Sequence, residues 1–192
     1  MNIILVHGIF DDATIYRKMA GKLSALGHEC FAPSLKPADA RKGISDLSHK
    51  LRDEIDETFK AGESFVLIAF SMGCLVARFY LQELGGLKRC QSFHAISGPH
   101  RGSLLAYLYP GQGAKEMRPG SDFLRRLKGS GDLLADTPVY SYRTPFDLMI
   151  IPSSSSQWEI AENIRTMCPI HPRMVNDRLV FERIVQSFRG LM

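Results

Sequence analysis

Residues 65–76 read FVLIAFSMGCLV, and this stretch carries the clearest signal of the fold. Residues 65–70 are continuously apolar, as a central parallel strand that is buried on both faces should be. From Leu75 to Leu84 the apolar residues recur at helical spacing. The stretch therefore predicts a buried strand that passes through a turn at Ser71 into a helix.

Short apolar runs and helical patterns alternate along the rest of the chain as well. Predicted strands cover residues 3–6, 29–32, 65–70, 92–96, 139–142 and, with a weaker pattern, 164–167. Predicted helices cover about 15–26, 44–59, 75–84 and 178–188, the first capped by the Asp11-Asp12 pair and the last by Asn176 or Asp177. This alternation favours a three-layer α/β/α sandwich with a mostly parallel sheet of about six strands.

The length of 192 residues fits one domain with one core, so we expect a single domain over residues 1–192. Residues 102–137 hold six glycines and two prolines and show the least regular pattern. We expect them to form an irregular excursion from the sheet.

Composition excludes several classes of protein. Lys and Arg outnumber Asp and Glu only by 24 to 20, and the excess is scattered, so we expect no nucleic-acid partner. No run approaches the roughly 18 apolar residues of a membrane span, so we expect no stable membrane insertion. The short apolar opening at residues 1–6 lacks a basic leader, which favours the cytoplasm. The four cysteines are widely spaced and form no zinc-binding pattern, so we expect reduced, buried thiols.

The turn after the central strand has the spacing of an activated serine. Ala69, Ser71 and Gly73 form a small-x-Ser-x-Gly pattern, which forces the serine into a strained turn and exposes its hydroxyl. The helix that follows directs its positive end towards a reacting carbonyl, and the Met72 backbone N–H is placed to stabilise the developing oxyanion. Ser71 is therefore the candidate nucleophile.

Four segments make the chain similar to the small bacterial lipases and esterases of the α/β-hydrolase superfamily over most of its length. They are 7–9 (HGI), 69–73 (AFSMG), 97–103 (SGPHRGS), and 142–147 (YRTPFD) followed by 151–154 (IPSS). The resemblance implies a minimal α/β-hydrolase fold without a large cap domain and with an open or shallow pocket. Only residues 102–120 then remain to act as a lid.

The resemblance also implies the remaining site residues. The Ile9 amide is expected to complete the oxyanion hole with Met72. The alternative is that Gly8 only permits a tight turn and that this segment has no role in an oxyanion hole. The chain order serine, acid, histidine selects His171 as the base and Asp147 as the acid that orients it.

Other acids and histidines satisfy this order less well. His100 is a competing loop histidine that we expect to be a wall or packing residue. Asp132 and Asp136 precede the strand at 139–142, and Asp177 is expected to cap a helix. Two departures from the family pattern are Ala69, where Gly is usual, and an Ile rather than a Gly directly before the base.

The expected function is hydrolysis of carboxylic esters through an acyl-enzyme intermediate, with a small-molecule ester or lipid-like substrate and no metal or cofactor. The same constellation would serve a thioesterase or an amidase. Two other hypotheses are a hydrolase-like binding protein without turnover, and a peripheral membrane or interaction protein that uses the apolar residues 102–110. The sequence leaves the oligomeric state open.

Overall fold

A computed structural model describes residues 1–190 and contains a six-stranded parallel sheet. The strands are β1 (Asn2–Val6), β2 (Glu29–Phe31), β3 (Phe65–Phe70), β4 (Cys90–Ile96), β5 (Val139–Arg143) and β6 (Glu162–Arg165). They lie side by side in the order β2-β1-β3-β4-β5-β6, and each neighbouring pair is parallel. The prediction of a mostly parallel sheet of about six strands is confirmed.

Helices connect the strands and cover both faces of the sheet. They are α1 (Arg17–Ala25), α2 (Ile44–Thr58), α3 (Gly73–Glu83), α4 (Gln112–Glu116), α5 (Asp122–Gly129) and α6 (Arg178–Ser187), with short 3-10 turns between some of them. Alternate residues of β1 and β3 point to opposite faces, as a strand's period of two requires. Ile4 and Leu67 pack with α2 and α3, whereas Ile3 and Val66 pack with α1 and α6.

Local capping chemistry starts two of the helical segments. Asp12 accepts a hydrogen bond from the Thr14 amide at 2.8 Å, and Asp177 accepts one from the Val180 amide at 3.1 Å. Both side chains satisfy backbone donors that a helix leaves free in its first turn. Of the predicted caps, Asp12 rather than Asp11 caps the segment after β1, and Asp177 rather than Asn176 caps α6.

The last strand lies two residues before its predicted position at 164–167. Tyr140 pairs with Glu162 and Arg143 pairs with Arg165, so pairing with β5 decides the register of this edge strand. Three of its four residues are exposed, which leaves little apolar pattern to detect.

Residues 102–137 contain helices rather than the irregular chain that the sequence favours. Two 3-10 turns, Leu104–Tyr107 and Gly131–Leu134, accompany α4 and α5 in this region. Each piece is at most eight residues long, too short for helical periodicity to be recognised. Gly102, Gly111 and Gly120 precede the first three pieces, each with the positive φ that glycine favours.

The cysteines are free thiols in the structure. Cys74 and Cys168 are buried, whereas Cys30 and Cys90 are only half-buried, so the expectation of buried thiols holds for two of the four. Within residues 1–190, every helix is too short or too polar to traverse a bilayer.

Candidate active site

Ser71 occupies a strained turn between β3 and α3. Its φ is +54°, a conformation that costs a residue other than glycine on the order of 1–3 kcal/mol. The Ser71 amide donates to the Ile96 carbonyl at 2.8 Å, and the Ser71 carbonyl accepts from the Cys74 amide at 3.0 Å. These bonds join the turn to β4 and to the first turn of α3, and so hold the strained geometry.

Two glycines allow β1 and α3 to meet at this turn. A Cβ at Gly73 would lie 2.4 Å from the His7 carbonyl oxygen and 2.5 Å from that of Val6, so no side chain fits. A Cβ at Gly8 would lie 3.1 Å from the Ser71 Cβ. The loop after β1 therefore lies directly against the serine.

The structure brings Ser71, His171 and Asp147 together in one hydrogen-bonded chain. Ser71 Oγ is 2.9 Å from His171 Nε2, and His171 Nδ1 is 2.7 Å from Asp147 Oδ2. Asp147 lies on the loop after β5 and His171 begins the 3-10 turn after β6, so both come from the carboxyl edge of the parallel sheet. All three residues are at most 7% exposed, which shields the hydrogen bonds from water.

The Asp147 carboxylate is held by its backbone surroundings as well as by His171. Its Oδ1 accepts hydrogen bonds from the Met149 and Ile150 amides, each at 2.9 Å. Burial raises the pKa of Asp147, but the bonds from His171 and the two amides outweigh burial and leave the pKa below its usual value. The carboxylate therefore stays ionised and accepts the Nδ1–H of His171.

The backbone amides of Ile9 and Met72, the residues predicted to form an oxyanion hole, have no hydrogen-bond acceptor in the described part of the chain. The next amide, that of Phe10, donates to the Ala38 carbonyl at 2.9 Å and so anchors the loop that carries Ile9. Free amides beside a serine can donate to an acceptor atom placed there, as an oxyanion hole requires.

Two other histidines near the site, His100 and His7, are held by partners other than Ser71. The ring of His100 stacks on Trp158 with the ring centroids 4.4 Å apart, which agrees with a packing role. His7 Nε2 accepts the Leu35 amide hydrogen at 2.9 Å, and Nδ1 then donates to the Gly8 carbonyl at 2.8 Å. Burial lowers the pKa of His7, which keeps it neutral and able to make both bonds.

Sequence reasoning missed one residue that lies at the site. Asp11 was assigned with Asp12 to a helix cap, but it lines a pocket with Ser71 and His171 instead. Burial raises the pKa of Asp11, and neighbouring His7 and His171 oppose that rise. Asp11 lies in the loop after β1, two residues beyond Ile9, and this position is the signal in the sequence that could have placed it at the site.

Two pockets open beside Ser71. A small one of about 50 Å³ is bounded by residues such as Leu105, Tyr109 and Met117. A larger one of about 360 Å³ is bounded by His171 together with Leu148 and other apolar residues. Within residues 1–190, no three His, Cys, Asp or Glu side chains lie close enough to hold a metal ion.

Comparison with known proteins agrees with this architecture. The profile of the alpha/beta hydrolase family matches residues 3–181. The structure of Aspergillus fumigatus lipase B superposes with a TM-score of 0.78 at 18% identity, over 94% of this chain and 50% of that one. This chain thus spans about half the length of lipase B.

Shorter relatives superpose over nearly their whole length. The mature lipase BlEst2 of Bacillus licheniformis gives a TM-score of 0.76 at 16% identity, over 97% of this chain and 91% of that one. Polyneuridine aldehyde esterase gives 0.69 at 17% identity, over 97% and 98% of the two chains. Among curated protein sequences, none matches significantly. The superpositions show a shared fold, and the profile match over most of the sequence shows that this chain belongs to the alpha/beta hydrolase family.

Proposed function

We propose that this chain hydrolyses carboxylic esters, with Ser71 as the nucleophile, His171 as the base and Asp147 as the orienting acid. The observation that carries the proposal is the unbroken hydrogen-bonded chain of 2.9 Å from Ser71 to His171 and 2.7 Å from His171 to Asp147. A serine is activated when its hydroxyl lies within hydrogen-bond distance of a base and that base is oriented by a third group.

The reaction begins when Ser71 Oγ bonds to the ester carbonyl carbon while its proton moves to His171 Nε2. The carbonyl π electrons move to the oxygen, and the resulting oxyanion accepts hydrogen bonds from the Ile9 and Met72 amides. Collapse of this intermediate breaks the bond to the alcohol, which takes the proton from His171. A water molecule then attacks the acyl-enzyme by the same steps, and releases the acid and free Ser71.

The two pockets indicate how the ester lies. The leaving alcohol must receive a proton from His171, so it belongs in the larger pocket of about 360 Å³, which His171 borders. The acyl chain then enters the smaller pocket of about 50 Å³ beside Leu105 and Met117. We therefore expect acetyl and butyryl esters to be cleaved faster than long-chain esters.

The rim of the site supports an apolar substrate. Leu148 is 77% exposed, and Phe10, Phe146 and Ile170, which also border the pockets, are exposed as well. Within residues 1–190, Asp11 is the only acidic residue that borders either pocket, and no lysine or arginine borders them. Small ester or lipid-like substrates fit this surface. The absence of a nucleic-acid partner and a location in the cytoplasm remain predictions from the sequence.

The test is covalent labelling with a fluorophosphonate, followed by mass spectrometry of the intact protein. We expect one adduct on the wild type and on Ser24→Ala, a control that removes an exposed helix serine. We expect no adduct on Ser71→Ala. A folded wild type that takes up no label would overturn the proposal and favour a hydrolase-like binding protein.

Substrate panels then separate the acyl donors. Nitrophenyl esters of acetate, butyrate and palmitate test the acyl length, and matched acyl thioesters and anilides test the alternative thioesterase and amidase activities. A labelled enzyme that prefers thioesters would keep the assignment of Ser71 and replace the ester as substrate.

A further inference from the structure

A second cavity of about 360 Å³ is separate from the site at Ser71. It lies between α5, the 3-10 turn Gly131–Leu134 and the loop 157–160, and we name it the α5 cavity. No residue that lines the α5 cavity also lines either pocket at Ser71. The mechanism proposed above leaves this cavity unused.

The α5 cavity contains a buried arginine, Arg78. Arg78 is 2% exposed, and no carboxylate within residues 1–190 forms an ion pair with it. Its guanidinium lies 4.2 Å from the centroid of the Trp158 ring, a cation–π distance. Burial lowers the pKa of Arg78 to about 9, which reflects how unfavourable this desolvated charge is.

The neighbours of Arg78 use only part of its hydrogen-bonding capacity. Nε donates to Gln82 Oε1 at 3.2 Å, Nη2 to the Leu127 carbonyl at 3.0 Å, and Nη1 to His100 Nδ1 at 3.4 Å. A guanidinium has five N–H donors, so two have no acceptor in the described part of the chain. All three partners are neutral, since burial and the adjacent positive charges hold the pKa of His100 well below its usual value. An anion would therefore find both charge and free donors here.

The mouth of the cavity adds to the positive charge. Arg101, Arg125 and Lys128 line it, against the two acids Asp132 and Glu159, which are both exposed. Arg101 donates to the Ser154 carbonyl and Arg125 pairs with Asp122. Lys128 forms no ion pair within residues 1–190, so its ammonium group remains available.

We propose that the α5 cavity binds a small amphiphilic anion, with its carboxylate or phosphate head at Arg78 and Lys128. Part of the remaining wall is apolar, because Leu124, Trp158 and Ile160 line it. This wall takes the short alkyl or aryl body of the ligand. Apolar walls with a few convergent polar groups are the usual form of a small-molecule site.

The only tryptophan of the chain is Trp158, so its fluorescence reports on this cavity alone. Octanoate and octyl phosphate are titrated into the full-length protein at pH 7, with neutral octanol as the matched probe, and calorimetry is run in parallel. We expect saturable binding of one or both anions, much weaker binding of octanol, and weaker binding at high salt. Comparison of the two anions shows which head group the cavity prefers.

Two substitutions locate the binding site. Lys128→Gln changes an exposed residue, and we expect it to raise the dissociation constant about fivefold, the size of an exposed ion pair. Lys18→Gln, on the exposed side of α1, is the control and should leave the dissociation constant unchanged.

Protein blocked at Ser71 by fluorophosphonate should bind the anions as tightly as free protein. The proposal is overturned if no saturable heat or fluorescence change appears, or if octanol binds as well as the anions. It is also overturned if Lys128→Gln has no effect, or if blocking Ser71 abolishes binding, since the anion would then occupy the pockets at Ser71.

Discussion

Replacing Asp147 by asparagine tests the proposed roles of Asp147 and His171 with almost no change of shape. In the wild type, Oδ1 accepts from the Met149 and Ile150 amides and Oδ2 accepts from His171 Nδ1. The asparagine oxygen must stay on the two amides, because an NH₂ group there would face two donors. The NH₂ group then faces His171 and forces Nδ1 to act as an acceptor.

This change reverses the protonation of the imidazole. With Nδ1 unprotonated, Nε2 carries the hydrogen and donates to Ser71 Oγ, which is 2.9 Å away, instead of accepting its proton. The wrong tautomer lowers kcat by about 10⁴-fold in serine hydrolases that use this arrangement, which corresponds to about 5 kcal/mol of barrier. We expect a loss of that size in Asp147→Asn.

The assay is kcat for nitrophenyl butyrate at pH 7.5, together with thermal unfolding of each protein. Asp177→Asn is the control, because asparagine caps a helix about as well as aspartate and Asp177 lies at the start of α6. It should keep wild-type kcat and stability. An Asp147→Asn variant that folds and retains more than about a tenth of wild-type kcat would refute the tautomer argument and move the acid elsewhere.

Three further outcomes are expected. Gly73→Ala should lower the free energy of unfolding by about 1–3 kcal/mol in urea titrations, because its Cβ would lie 2.4 Å from a backbone oxygen of the loop after β1. Burial lowers the pKa of His94 to about 3, so the unfolded chain binds a proton that the folded chain excludes. The free energy of unfolding should therefore be fully retained above pH 6.5 and should fall between pH 6.5 and 3, by up to about 1.4 kcal/mol per pH unit for this histidine. His171→Ala should abolish fluorophosphonate labelling and His100→Ala should not.

Each of these three predictions would be contradicted by one particular result. An alanine at Gly73 with wild-type stability would mean that α3 moves away from β1 without loss. Urea midpoints that do not change between pH 7 and 4 would contradict the neutral state of His94. Labelling that survives in His171→Ala and disappears in His100→Ala would make His100 the base.

Much of the fold could be predicted because the signals are local. The strand at 65–70 is apolar at every position and was predicted with its correct bounds. The edge strand β6 was placed two residues late, because its exposed residues carry little pattern and its register comes from β5. The short helices α4 and α5 were missed because each spans too few residues for a period to appear.

The alternation of strands and helices can be read from the sequence alone, because the periodicity of apolar residues records which face of each segment is buried. The order of Ser71, Asp147 and His171 along the chain is likewise fixed by the sequence. That Ser71 Oγ and His171 Nε2 lie 2.9 Å apart, although the two residues are 100 positions apart, follows only from the packing of the whole molecule. The same holds for the absence, within residues 1–190, of an acidic partner for Arg78. Distances between segments depend on which strands end side by side at the carboxyl edge of the sheet and on how the helices pack. No local pattern of residues encodes them.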